Sequence, residues 1–175
     1  MEQIRLLKEK EIKDFVDIVF NAYPGWGFNT PDGRREMEDR ILAAKKEDPT
    51  VNVYGCFRDG ELMGGMRLID FRMRFGSQKL GAGGLGLVAV HMMHKKEKVA
   101  KEIVTFFLRH YSSRKYPMAM LYPFRPDFYK KMGFGFGTKM NQYSIKPKDF
   151  PKDGDKSCVS FATDDDRELF AECYA

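Results

Sequence analysis

A strand, a basic turn and a helix follow one another in the stretch LVAVHMMHKKEKVAKEI, at residues 87–103. Four lysines lie on the turn and the first residues of the helix: Lys95, Lys96, Lys98 and Lys101. The first amides of a helix have no intrahelical acceptor, and together with the helix dipole they attract an anion such as a pyrophosphate. Ala100 is small enough for a ligand to approach the helix closely. These are the parts of a phosphate site, although a strand–turn–helix with solvated lysines explains the same residues.

Aromatic and basic side chains gather in a second stretch, YPFRPDFYKKMGFG, at residues 122–135. The pattern predicts a buried strand at 118–122 and a short helix near 126–132. Gly133 is expected to end this helix, because glycine is common just after a helix C-terminus. Taken alone, Phe128 and Tyr129 are packing aromatics on that helix. Arg125 suits a phosphate contact or a surface salt bridge equally well.

The elements around these stretches predict a mixed sheet with helices packed on it. Further strands are expected at 3–7, 51–57, 61–74, 85–90, 134–145 and 157–162, and further helices at 10–22, 31–46, 98–111 and 164–175. Asp59-Gly60 predicts a hairpin turn, and residues 76–84 predict a flexible turn. The helix at 98–111 crosses between strands 85–90 and 118–122, so these two strands are expected to be parallel. The predicted class is α/β, in the sense of an α+β mixed sheet.

Composition excludes several classes of protein. The 175 residues, with a net charge of +5, fit a globular domain with a modestly basic surface. Three scattered cysteines without a C-x-x-C pair indicate neither a disulfide framework nor a zinc site. No apolar run reaches the ~20 residues of a membrane helix, and no secretory signal is present, so we predict a cytoplasmic protein without membrane contact. His91 and His94 have the spacing of a metal pair but lack a third ligand, so no metal is predicted.

The two stretches together resemble the GNAT superfamily of N-acetyltransferases. In that family a V-x-V strand leads into a basic-x-x-G-x-G/A turn at the start of a helix. Here Lys95 takes the basic position, Lys98 replaces the first glycine, and Ala100 takes the last. The form LYPFRPDFYKKMGFGFG looks specifically like the Eis-like (enhanced intracellular survival) branch, in its N-terminal catalytic domain. The resemblance covers residues 85–137. It implies the GNAT acyl-CoA N-acyltransferase fold over residues 1–146 and acetyl-CoA as co-substrate.

The resemblance also implies roles for individual residues. The backbone of Val88, Ala89 and Val90 would bind the pantetheine arm. The pyrophosphate would be held by the turn and helix start, which comprise Lys95, Lys96, Glu97, Lys98, Val99, Ala100 and Lys101. Phe124 and Arg125 stand where the family also contacts the cofactor. Tyr129 would be the general acid for the departing thiolate, which is chemically sound because phenol and thiol pKa values, about 10 and about 8.5, are close.

The acceptor and the general base are the open parts of this interpretation. In the family the connection between the first two helices borders the acceptor, so Trp26 and Phe28 are acceptor-pocket candidates, or a hydrophobic plug. No acid is singled out as the base; in Eis-like proteins the carboxylate at the end of a longer chain takes that role. Residues 147–175 are expected to be a linker and the start of a second, truncated acetyltransferase-like domain. The family also tends to form homo-oligomers.

Three hypotheses about function remain. The first is acetyl transfer from acetyl-CoA to a primary amine, on a small molecule or a lysine side chain. The second is a catalytically silent acyl-CoA-binding or regulatory domain, because Lys98 replaces a glycine. The third is a basic nucleic-acid-binding module, which is disfavoured because no recognised motif is present and the lysines are concentrated at one turn.

Overall fold

A computed structural model describes residues 2–25, 29–137, 141–155, 157 and 159–174. The chain forms two compact units, Met1–Pro123 and Phe124–Ala175. The first contains strands β1 (Glu2–Leu6), β2 (Val51–Arg58), β3 (Glu61–Phe75), β4 (Gln78–Val90) and β5 (Met118–Leu121), with helices α1 (Ile12–Ala22), α2 (Pro31–Glu47) and α3 (Val99–Ser113). The second contains helices α4 (Pro126–Lys130) and α5 (Arg167–Tyr174). The predicted domain boundary at residue 146 stays a prediction.

The five strands form one sheet in the order β1-β2-β3-β4-β5. The first four pair antiparallel, whereas β4 and β5 pair parallel, with α3 as the crossover between them. The mixed sheet and the parallel pair are therefore confirmed, and the class is α+β. The β2–β3 hairpin turns at Asp59 and Gly60, with φ of 50° and 88°. Two successive positive φ values are those that a tight hairpin turn needs.

Helices cover both faces of this sheet. A Cβ built on Gly65 would lie 2.7 Å from the Phe15 ring of α1, and one on Gly83 would lie 2.3 Å from the Tyr111 ring of α3. Gly83 pairs with Asp70, whose side chain is on the opposite face of β3 from residue 65, because faces alternate along a strand. The α1 and α2 face carries the main apolar core, built on Ile12, Phe15, Val16, Val19 and Ile41.

Strand β4 is longer than predicted. Residues 76–84 were expected to be a flexible turn, but the strand begins at Gln78 and only Gly76-Ser77 form the turn. Aromatic rings occupy the space where side chains of these glycines would lie. Besides Tyr111 beside Gly83, the Phe71 ring is 2.3 Å from a Cβ built on Gly84. Glycine at these positions makes room for the rings to pack on the strand. Because a glycine-rich stretch also has the composition of a loop, the sequence alone did not reveal this role.

The predicted strands at 134–145 and 157–162 are wrong within the described residues. Residues 134–137, 141–145, 157 and 159–162 contain no strand. Phe134 and Phe136 do alternate with glycine, but a strand needs a hydrogen-bonded neighbour, and glycine at every second position from 133 to 137 weakens it further. Gly133 does follow α4 with φ of 93°, the conformation expected after a helix end.

Candidate active site

A bulge in β4 interrupts the regular pairing of this strand with β3. Gly65 pairs with Ala89, and Arg67 pairs with Gly86, so two residues of β4 face the single residue between them on β3. The first of these two, Leu87, has φ of 49°. Pairing with β5 extends only from Ala82 to Leu85. On that side, the β4 backbone from residue 86 to residue 90 therefore has no strand partner among the described residues.

The three residues predicted to bind pantetheine differ in what their backbones face. His91 donates its N–H to Met63 O at 2.8 Å. Hydrogen-bonded pairs alternate in an antiparallel ladder, so Ala89 also pairs with β3 and Val90 points to the open edge. The Val88 carbonyl accepts a hydrogen bond of 2.8 Å from the Tyr23 hydroxyl. Only Val88 and Val90 are thus disposed toward the open edge, and the Val88 carbonyl already has a partner.

The turn after β4 holds two lysines in a backbone conformation that favours glycine. Lys96 and Lys98 have φ of 72° and 66°, and Lys98 is the N-cap of α3. For a side chain other than glycine this left-handed region costs about 1–2 kcal/mol. Lys98 thus keeps the backbone conformation of the glycine that it replaces in the GNAT pattern. The amides of Val99, Ala100 and Lys101 begin α3 and have no intrahelical acceptor by position.

Charges around the turn leave its lysines available for an anion. Lys95, Lys96, Lys98 and Lys101 are exposed, and none has an ion pair in the part of the chain that the structure describes. The one acid of the turn, Glu97, instead contacts His94 at 3.3 Å and Arg58 at 2.6 Å. Hydrogen bonds from His94 and Arg58 lower the pKa of Glu97. Glu97 therefore braces the turn through its side chain, and its predicted part in holding the pyrophosphate stays a prediction.

The two histidines of this region are held by other groups. His94 Nε2 lies 3.2 Å from Glu61 Oε1, and this hydrogen bond, with that of Glu97, raises the pKa of His94. His91 Nδ1 accepts from the Met93 amide at 3.3 Å. Within the described residues no group of three or more His, Cys, Asp or Glu side chains is placed to hold a metal.

In the second unit, Tyr129 lies on α4 and is buried. The rings of Phe124, Phe128 and Phe134 meet it edge-on, with centroids at 6.4, 5.1 and 5.9 Å. Arg125 forms a 2.9 Å ion pair with Asp127, the surface salt bridge that the sequence offered as an alternative to a phosphate contact. The acceptor candidates Trp26 and Phe28 lie outside the described residues.

Sequence reasoning missed two residues near β4. Tyr23 ends α1 beside the predicted acceptor loop, and its hydroxyl reaches Val88; burial raises its pKa. Arg67 lies on β3 and lines a cavity of about 370 Å³ beneath α2. The sequence pattern could have pointed to Arg67. Gly65, Arg67 and Ile69 lie on one face of β3, and that face packs on α1.

Residues 3–137 match the acetyltransferase (GNAT) domain family, and the chain belongs to that family. No curated protein matches the chain. Among solved structures, a conserved protein of unknown function from Enterococcus faecalis V583 is 22% identical, with a TM-score of 0.61 over 76% of this chain. A GCN5-related N-acetyltransferase from Ralstonia eutropha is 14% identical, with a TM-score of 0.67 over 82% of this chain. A predicted acetyltransferase with acetyl-CoA from Clostridium acetobutylicum is 12% identical, with a TM-score of 0.66 over 82%.

These comparisons confirm the predicted GNAT fold, since likeness at such low identity shows the fold alone. The matched region spans 32% of the Enterococcus chain, but 99% and 96% of the other two. The Eis-like branch, the cytoplasmic location and the roles of single residues stay predictions. Among the described residues, no helix is both long and apolar enough to cross a bilayer.

Proposed function

We propose that this chain is an acetyl-CoA-dependent N-acetyltransferase that acts on a primary amine. The observation that carries the proposal is the unpaired edge of β4 leading directly into a lysine-rich helix start. An extended arm with amides can add to a free strand edge as another strand would. A pyrophosphate suits the amides of Val99 and Ala100 together with the neighbouring lysines.

The reaction assigns a distinct task to each group. The amine nitrogen attacks the thioester carbonyl carbon, a C–N bond forms, and the C–S bond breaks. The sulfur leaves as a thiolate, and Tyr129 donates its phenolic proton to it. The amine must lose a proton to a base, for which no residue is assigned. Val88 and Val90 orient the arm that carries the acetyl group, so Tyr23 must release the Val88 carbonyl when an amide of that arm binds there.

A thermal-shift titration with acetyl-CoA tests cofactor binding. A ligand that binds only the folded state stabilises it by about 2.7 kcal/mol at 100 times its Kd. For a chain of this size we expect Tm to rise by roughly 5–10 °C. Potassium chloride at matched ionic strength is the control and should give no comparable shift. No response at millimolar acetyl-CoA contradicts the proposal.

The substitution Tyr129→Phe tests the general acid. It keeps the ring, so packing with the three phenylalanines should survive, and it removes only the proton donor. General acid catalysis contributes about 10²–10⁴-fold, so kcat should fall by a factor in that range while the Kd for acetyl-CoA is unchanged. Single-turnover kinetics separate chemistry from product release. An unaffected chemical step makes Tyr129 a packing residue.

A silent acyl-CoA-binding domain is the second candidate. Lys98 motivates it, because this lysine adds a side chain where the family pattern has its first glycine, beside the proposed pyrophosphate position. A panel of amines, with detection of the released thiol, separates the two candidates. Binding of acetyl-CoA without acetyl transfer to any amine would favour the silent domain. The finer assignment to the Eis-like branch rests on residues 122–137 and stays part of this proposal.

A further inference from the structure

The cavity beneath α2 has a size suited to a small ligand. Its volume of about 370 Å³ lies within the range of roughly 300–1,000 Å³ that is typical of small-molecule sites. Its walls are largely apolar, formed by Met37, Ile41, Val51, Val53 and Leu87. These side chains suit the hydrocarbon part of a ligand.

One guanidinium in this cavity has an enclosed nitrogen without an acceptor. Arg67 is half-buried as a whole, but its Nε is enclosed and makes no hydrogen bond to the described residues. Arg67 also forms no ion pair within the described residues. Burial lowers its pKa, and no neighbouring charge offsets that effect. An enclosed donor without an acceptor is unfavourable for folding, and a carboxylate or phosphate oxygen is the kind of group that would satisfy it.

The other charged groups that line the cavity are already satisfied. Arg40 and Glu36 pair with each other at 2.6 Å along α2. Lys45 donates from Nζ to the Leu7 carbonyl at 2.8 Å. Among these cations, Arg67 is the one that has an enclosed donor without an acceptor in the described part of the chain. Its planar fork of donors matches a carboxylate or phosphate with two parallel hydrogen bonds.

The guanidinium lies close to the proposed site of acetyl transfer. A Cβ built on Gly86 would be 3.6 Å from Arg67 Nη2 and 3.7 Å from Nε, so the group rests over the β4 backbone there. Val88 follows two residues later, roughly 7 Å along the strand. Leu87, between them, forms part of the cavity wall. A small molecule held at Arg67 can therefore place its other end near Val88.

We infer that the acceptor is a small primary amine that also carries a carboxylate or phosphate, and that Arg67 binds this oxyanion in the cavity beneath α2. The inference rests on the proposed function. The apolar walls take the body of the acceptor, and the bidentate contact at Arg67 fixes the direction of its amine. Arg67 is thus a residue that determines acceptor specificity.

Titration with oxyanions, followed by NMR of arginine Nε–H signals, tests the cavity without requiring activity. In the wild-type chain, acetate and inorganic phosphate should each shift the Arg67 signal with saturation in the millimolar range, and chloride at equal ionic strength should not. Assignment comes from Arg67→Met, in which the signal is lost. Arg72→Met, on the same strand but outside the cavity, is the matched control. An Arg67 signal insensitive to both oxyanions overturns the inference.

The second experiment compares acetyl transfer to pairs of matched amines. Leucine is compared with leucinamide, and phosphoethanolamine with ethanolamine, so that each pair differs in the anion and shows which oxyanion is preferred. Arg67→Met should raise KM for the anionic acceptor by about 10- to 100-fold and leave its neutral partner unchanged, as expected for a hydrogen-bonded charge. Equal effects on both members of a pair overturn the inference.

The two arms separate this inference from the proposed function. If acetyl-CoA binds and neutral amines are acetylated but Arg67 does not respond to oxyanions, only the inference fails. If Arg67 binds oxyanions but no amine is acetylated, the proposed function fails and the assignment of the anion as part of an acceptor fails with it.

Discussion

Two cationic regions have no carboxylate partner in the described part of the chain, yet they differ in the energetic cost of being unpaired. The lysines at 95–101 are exposed, and water and salt screen them. The Arg67 guanidinium has its Nε buried in a cavity. Enclosing a donor without an acceptor costs about 1–3 kcal/mol, whereas an exposed charge costs almost nothing.

The difference teaches which unpaired cation is stronger evidence for a ligand. An exposed lysine cluster needs support from its backbone, and here the amides at the start of α3 and the left-handed Lys98 provide it. The enclosed Nε of Arg67 is by itself evidence for a ligand, because a donor without an acceptor is unfavourable for the fold. The four predictions below test this contrast.

Charge reversal at the lysine turn should have the largest effect. In Lys96→Glu/Lys98→Glu, two attractions become repulsions, each contributing about 0.2–1 kcal/mol. We expect the affinity for acetyl-CoA to fall by roughly 10- to 30-fold at low salt, as measured by calorimetry. The loss should shrink at 1 M salt, where screening acts within about 3 Å. The control is Arg72→Glu/Lys79→Glu, two changes on β3 and β4 near the hairpin that joins them. An equal loss of affinity there would indicate a general electrostatic field instead of a site at the turn.

Replacing the sheltered cation should stabilise the fold. Arg67→Met removes an unpaired guanidinium and keeps an apolar stem, so the free energy of unfolding should rise by about 1–2 kcal/mol. The matched exposed change, Lys96→Met, should stay within about 0.5 kcal/mol of the wild type. Urea unfolding at neutral pH measures both. A destabilised Arg67→Met would mean that the guanidinium is well accommodated, and the contrast would disappear.

Relief of backbone strain at the turn should be smaller. Lys98 has φ of 66°, so Lys98→Gly should raise the free energy of unfolding by about 0.5–1 kcal/mol, after the entropy that glycine adds to the unfolded chain. Lys101→Gly, inside the first turn of α3, should lower it by a similar amount. Calorimetric Tm values for the pair check this. Loss of stability in both variants would show that the Lys98 side chain contributes more than its backbone costs.

The smallest effect concerns the histidine that braces the turn. Hydrogen bonds from Glu61 and Glu97 raise the pKa of His94 above 6.5, whereas burial lowers the pKa of His110. The His94 contribution to stability is complete below pH 6.5 and is lost as pH rises through the folded-state pKa. NMR titration of the ring protons should place His94 above 6.5 and His110 below. The Tm of His94→Gln should fall less between pH 6 and pH 8 than that of the wild type. An equal fall in both proteins would show that the charged His94 does not stabilise the turn.

Local patterns predicted most of the first unit. Asp59-Gly60 gave the hairpin because two positive φ values are encoded by those residue types. The helix at 98–111 gave the parallel pair because a crossover permits little else. By contrast, the first half of β4 was predicted as a turn because its glycines match a loop composition, and the rings that require them, Tyr111 and Phe71, come from distant parts of the chain.

The candidate site was predicted less completely than the fold. The lysine turn is contiguous in sequence, so its charge and position could be read directly. Tyr23 is 65 residues from Val88 in the chain. Alternation places Arg67 on the packed face of β3, but the cavity beside it is formed by α2 and three strands from separate parts of the chain. The predicted strand at 134–145 failed for the related reason that a strand depends on a partner that alternation does not specify.

Under the proposed function, the hydrogen bond from Tyr23 to Val88 also affects the affinity for the cofactor. It divides the molecules into those whose β4 edge is blocked and those whose edge can receive the cofactor. A hydrogen bond of this kind contributes about 0.5–1.5 kcal/mol, so the receptive fraction is between roughly a third and a fourteenth of the population. The apparent affinity for the cofactor is reduced by that same factor. The end of α1 therefore acts as an internal competitor, which sets the cofactor concentration at which the β4 edge becomes occupied.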